Sequence, residues 1–134
     1  MENKLKVIFF WHKDFKEPWC SLYRGDEQIR SNLPGFLGDD EGLGIEHLKK
    51  WLQNGLAEIE RIKSGEISDF DMWGQSMGAE ISLEKVIVYY GDDYFPEEKI
   101  GFNAFCDILT KWLDFISLPE DLSKDVTFYM DIDI

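Results

Sequence analysis

The sequence predicts an α+β fold in which one antiparallel or mixed β-sheet packs against two main amphipathic helices. Apolar residues recur at steps of three and four over 45–63 and over 102–116, which is the spacing of a single helix face. The other apolar segments are short, and they alternate with polar residues or are rich in β-branched and aromatic residues, as strands are. A chain of 134 residues suits one domain, 1–134, and its 44% hydrophobic content is enough to form a core.

The first strand is predicted over 5–12. Both alternating sets of its side chains are rich in apolar residues, so we expect a central strand that is covered on both faces. The glycines and the proline within 13–43 indicate loops around one short strand near 19–23.

Glycine and proline mark the ends of the two helices. Gly65 suits the C-terminal stop of the helix over 45–63, and Pro119 ends the helix over 102–116. Gly55 lies inside the first of these helices and lowers its stability, unless another element packs closely at that position.

A β-meander is predicted between the helices, with strands over 70–76, 79–83 and 86–90 that pair antiparallel with their neighbours. The chain closes with a strict alternation of apolar and polar residues over 126–134. This pattern indicates a half-exposed strand with acids on its solvent face.

The charge balance restricts the kind of partner. The chain has 14 basic and 27 acidic residues, a formal net charge of −13. Nucleic acid and anionic membranes would repel such a chain, whereas a cationic partner would be attracted to it, with a strength that falls as salt is added. The alternative is that the acids serve solubility alone.

The N-terminal apolar run, VIFFW, is too short for a signal peptide or a membrane span, so we expect a cytoplasmic protein. Cys20 and Cys106 form no CxxC pair, and Cys106 falls at an apolar helix position, where a buried thiol is expected.

No catalytic or cofactor motif is present. The two histidines, His12 and His47, have no nucleophile pattern around them, and the glycines over 35–44 lack the spacing of phosphate-binding loops. The acids at 39–41 and 92–93 do not follow the alternation of a calcium loop. We therefore expect no metal and no cofactor.

The closing strand leaves one exception open. Asp131 and Asp133 would share one face of that strand, an arrangement that could suit Mg²⁺, although charge that keeps an edge strand soluble is the more common explanation for such a pair.

Acidic and aromatic residues are interleaved in the stretch YYGDDYFPEEK, residues 89–99. Rigid rings and carboxylates together are typical of a protein interface that accepts Arg or Lys side chains. An alternative is that Tyr94 and Phe95 form a hydrophobic plug that holds this loop on the sheet. The candidate partner-binding residues, here and in the other acidic segments, are Asp92, Asp93, Tyr94, Phe95, Glu97, Glu98, Asp39, Asp40, Glu41, Asp131 and Asp133.

The tract over 70–117, about a third of the chain, contains a recognisable arrangement. A Trp-Gly near the start of a strand is followed by a hairpin, an acidic loop and a helix with regularly spaced Phe, Leu and Trp. The matching positions are Trp73, Gly74, Ile100, Phe105, Leu109, Trp112 and Phe115. In this tract the chain resembles small immunity proteins of bacterial polymorphic toxin and contact-dependent growth inhibition systems.

The resemblance implies a non-enzymatic inhibitor that binds the C-terminal toxin domain of a cognate effector. Such toxins are often nucleases with basic clefts, so an acidic inhibitor would compete with nucleic acid phosphates. The resemblance implies that the partner is this toxin domain, with no direct contact to nucleic acid or membrane. Two alternatives stay open: an acidic nucleic-acid mimic or adaptor, and a small carboxylate-dependent hydrolase.

Overall fold

The computed structural model describes residues 4–91 and 96–131. Five of the candidate residues, Asp92, Asp93, Tyr94, Phe95 and Asp133, lie outside the described residues.

Strands and helices follow one another along the chain. In order they are β1 (Leu5–Trp11), β2 (Pro18–Arg24), β3 (Glu27–Gln28), α1 (Leu33–Leu37), α2 (Ile45–Lys63), β4 (Asp69–Trp73), β5 (Met77–Ser82), β6 (Val86–Tyr90), β7 (Glu98–Ile100), α3 (Phe102–Ile116) and β8 (Val126–Met130).

The described strands form two antiparallel sheets, and this α+β architecture confirms the predicted class. The first sheet has the order β3-β2-β1-β8, and the second has the order β4-β5-β6-β7. The single sheet predicted from the sequence is wrong in this respect, because alternation shows which face of a strand is buried and leaves its neighbours undefined. Buried side chains of both sheets and of the helices form one hydrophobic core.

The predicted central strand is β1, which lies between β2 and β8. Its inward side chains Leu5, Val7, Phe9 and Trp11 are buried, but those on the opposite face, including Ile8 and Phe10, are only partly covered. The expectation of full cover on both faces is therefore met on one face alone.

The stretch over 13–43 contains more structure than the sequence predicts. Besides β2, it forms the two-residue strand β3 and the short helix α1. Leu33, Phe36 and Leu37 of α1 are fully buried, so this five-residue turn fills the core. A helix this short shows no periodic pattern that a sequence reading can detect.

The two long helices begin and end where the sequence predicts, and they contact each other. At the end of α2, Gly65 has φ +82°, its N–H donates to the Ile62 carbonyl, and the Glu66 N–H donates to the Arg61 carbonyl. This pair of bonds is the Schellman arrangement, which requires a left-handed residue and therefore favours glycine.

The glycine inside α2 has a packing role. A Cβ at Gly55 would collide with the side chain of Met72 on β4, which is 1% exposed. Gly55 thus allows the helix and the second sheet to approach closely. A glycine inside this helix was expected only where another element packs closely against it, and β4 does so here.

Candidate functional site

The acids at 39–41 hold their own part of the fold together. Asp39 Oδ2 accepts hydrogen bonds from the backbone N–H groups of Gln75, Ser76 and Met77, at 2.9, 3.0 and 3.3 Å. A Cβ at Gly74 would lie 2.6 Å from this oxygen, so the glycine makes the approach possible. Asp39 therefore fastens the loop before α2 to the β4–β5 turn.

The next two acids make local contacts. Asp40 Oδ1 accepts the Gly42 N–H at 2.8 Å in a turn, and Glu41 Oε2 lies 2.9 Å from His47 Nε2. Asp40 also lines a cavity of about 440 Å³ together with Lys16. Both residues are half-buried.

Glu97 and Glu98 differ in orientation. Glu98 Oε1 accepts hydrogen bonds from the Asn32 backbone N–H and, at 3.1 Å, from Ser31 Oγ. The Asn32 side chain donates in turn to the carbonyls of Val88 and Pro96, at 3.2 and 2.9 Å. Glu98 and Asn32 thus fix the start of β7, whereas Glu97 is exposed.

Asp131 lies on the first sheet, away from these acids. It follows Met130, which pairs with Leu5 at the end of β1 opposite to Trp11. Its side chain is 78% exposed, with Lys4 Nζ 3.8 Å away. The described candidate acids therefore do not form one surface.

A different surface combines exposed acids with an exposed tryptophan and a half-buried tyrosine. Strand alternation in the second sheet turns Met72, Ala79, Ile81 and Val88 into the core. Among the described residues, no helix covers the opposite side, where exposed residues lie. We call this side the outer face. Its principal side chains are Asp69, Asp71, Trp73, Glu80 and Tyr89.

The centre of the outer face is an aromatic pair. The rings of Trp73 and Tyr89 are parallel within 18°, with centroids 5.7 Å apart. Between them on β5 lies Gly78, where a Cβ would come within 2.7 Å of Trp73 Cε3 and of Tyr89 Cζ. Because Gly78 has no side chain, the rings can cover the sheet at this point, and Trp73 remains 44% exposed.

Backbone contacts hold Trp73 in place. Its carbonyl accepts a hydrogen bond from Trp51 Nε1 of α2 at 2.9 Å, and a Cβ at Gly91 would lie 2.6 Å from its Cη2.

The acids of the outer face lie next to this pair. Tyr89 Oη donates to Asp71 Oδ1 at 2.6 Å. Partial burial, the hydrogen bond to Asp71, and the charges of Asp71 and Glu80 all raise the pKa of Tyr89, so the hydroxyl stays protonated and keeps donating. Glu80 stands directly opposite Asp71 on the neighbouring strand.

This surface is not among the sites predicted from the sequence, although the sequence contains a signal for it. Alternation along 69–73 puts Phe70 and Met72 on one side of the strand and Asp69, Asp71 and Trp73 together on the other side. A tryptophan among acids on the polar side of a strand is the pattern that would have located the outer face.

The two thiols are poorly placed for chemistry. Burial raises the pKa of Cys20 to about 12 and also raises the pKa of Cys106, which keeps both protonated at neutral pH. Within 4–91 and 96–131, no group of three or more His, Cys, Asp or Glu residues is arranged to hold a metal ion. Over the same residues, no helix has the length and apolar character to cross a membrane.

Comparison with protein-family models, with curated proteins and with solved structures finds no match to this chain. The resemblance to immunity proteins therefore stays a prediction from the sequence.

Proposed function

We propose that this chain is a non-enzymatic, cytoplasmic inhibitor that binds a basic protein domain. Following the resemblance over 70–117, the partner is the toxin domain of a cognate contact-dependent growth inhibition or polymorphic toxin effector, of the nuclease class. The observation that carries the proposal is the outer face, where Asp71 and Glu80 lie beside an exposed Trp73 that stacks with Tyr89, in a chain of net charge −13.

Charge and aromatic area have separate parts in this function. A net charge of −13 attracts a cationic domain over a distance of about one Debye length, roughly 8 Å at physiological salt. Aromatic side chains then supply rigid contact area, which often dominates the binding energy of an interface. An acidic protein seated over a basic cleft would exclude nucleic acid phosphates from it.

The test is a calorimetric titration of the protein with the toxin domain encoded next to it, at about 50 mM and 500 mM salt. We expect one-to-one binding in the nanomolar range that weakens at the higher salt, since exposed charges are screened there. An unrelated basic nuclease domain of similar net charge is the control, and it should bind far more weakly.

Two outcomes would change the proposal. Equal binding to the unrelated basic domain would favour the acidic mimic or adaptor. Absence of binding to the neighbouring toxin domain at low salt would contradict the immunity function.

A further inference from the structure

We propose that the outer face is an arginine-binding surface, on which a guanidinium of the partner stacks on Trp73 while its N–H groups reach the carboxylates of Asp71 and Glu80. This inference deepens the proposed function and rests on it for the identity of the partner. The binding chemistry itself can be tested without that partner.

The aromatic pair favours arginine over other cations. A guanidinium is planar and weakly hydrated, so it stacks on an exposed indole, the aromatic ring that binds cations best. Trp73 is 44% exposed, and its ring packs closely over Gly78 and Gly91. The ring is therefore accessible and already positioned.

The neighbouring acids have unused acceptor capacity. Asp71 accepts from Tyr89 through Oδ1, and its Oδ2 makes no hydrogen bond within the described residues. Glu80 forms no hydrogen bond or ion pair there either, although Lys85 and Lys99 lie at the margins of the face. Two carboxylates beside an aromatic ring match the forked donors of one guanidinium.

The placement of two acids opposite each other is unfavourable for the isolated protein. Asp71 and Glu80 are directly opposite on adjacent antiparallel strands, where like charges destabilise a sheet. A cation bound between them would remove that repulsion. A second copy of this chain would instead bring more acids to the same place, and nucleic acid would be repelled.

The test is an NMR titration of the full, ¹⁵N-labelled chain with a short peptide. The probe is an acetylated, amidated pentapeptide, Gly-Arg-Gly-Arg-Gly. The same peptide with lysine in place of arginine is titrated separately for comparison. We expect the arginine peptide to shift the Trp73 indole signal and the amides of β4–β6 in a saturable way, at millimolar affinity. The lysine peptide should shift them several-fold less at equal concentration.

Matched variants identify the contributing side chains. Trp73→Ala should weaken arginine-peptide binding by about two- to fivefold, which is the range of an exposed cation–π contact. The control Trp19→Ala removes a 40% exposed indole from the first sheet and should not change the binding. Glu80→Gln should weaken it by up to about fivefold, while Glu27→Gln on β3 should not. Unchanged amide signals elsewhere in each variant verify its fold.

Equal signal shifts with the arginine and the lysine peptide would overturn this inference. Equal losses of arginine-peptide binding in the variants of the second sheet and in the control variants of the first sheet would overturn it too. Toxin-domain binding that survives Trp73→Ala and Glu80→Gln would also overturn it while leaving the proposed function intact. Arginine-specific shifts on the outer face, without any toxin-domain binding, would support the inference and contradict the proposed function.

Discussion

Asp39 offers the sharpest test of the structure, because the sequence assigns it to partner binding and the structure gives it hydrogen bonds within the fold. The change is Asp39→Ala. Its carboxylate accepts two backbone N–H groups at 2.9 and 3.0 Å and two more at 3.3 Å, from Met77 and from Glu41. All four donors lose their acceptor together in the variant.

The expected loss follows from the strength of these bonds. A hydrogen bond in a protein contributes about 0.5–1.5 kcal/mol net, and bonds to charged groups contribute more. The donors lie near the surface, where water can replace the carboxylate, so we take values near 1 kcal/mol for the short bonds and about half of that for the long ones. Asp39→Ala should therefore lower the free energy of unfolding by about 3 kcal/mol.

Urea denaturation followed by tryptophan fluorescence measures this change, with Asp40→Ala as the matched control. The control removes one carboxylate at the next position, with a single hydrogen bond from Gly42, and should lower the free energy of unfolding by no more than about 1 kcal/mol. Equal effects of the two substitutions would refute the tethering role of Asp39.

Two further predictions concern the core. Gly55→Ala should lower the free energy of unfolding by about 1 kcal/mol, because crowding against Met72 outweighs the gain in helix propensity. The control Asn54→Ala, on the exposed side of the helix, should raise the free energy of unfolding slightly. Urea titration measures both variants, and a stabilising Gly55→Ala would contradict the close packing. Cys20 keeps its proton more tightly in the folded than in the unfolded state, so its contribution to stability is present below pH 9 and is lost as the pH rises toward about 12. The unfolding free energy of Cys20→Ala should therefore fall less steeply over that interval than that of the wild type, and parallel curves would show that this thiol does not contribute.

The sequence predicts the long helices to the residue because two signals coincide in each. An apolar stripe defines the face of α2, and Gly65 defines its end through a left-handed conformation that glycine favours. Six strands are predicted close to their observed positions, whereas the short strands β3 and β7 are not predicted. The division into two sheets is not predicted either, since β8 would show the same alternation beside any neighbour, and β1 becomes its partner only through tertiary contacts.

The candidate site shows a similar limit. A run of acids such as 39–41 looks like a surface feature, and nothing local shows that the amide groups of 75–77 will face Asp39. The residues that donate hydrogen bonds to Glu98, Ser31 and Asn32, are also far from it in sequence. Residues of the outer face are different, because strand alternation alone places Asp71 beside Trp73, and only their pairing with Glu80 and Tyr89 needs the fold.

The pairing of β1 with β8 also affects the order in which the chain folds. The strands of the second sheet are consecutive in sequence, whereas the first sheet joins segments from opposite ends of the chain. Closing a loop of that length is entropically costly before its contacts form, and contacts distant in sequence slow folding. The meander and the helices that pack on it would then assemble early, and the docking of β8 on β1 would be a late step in refolding.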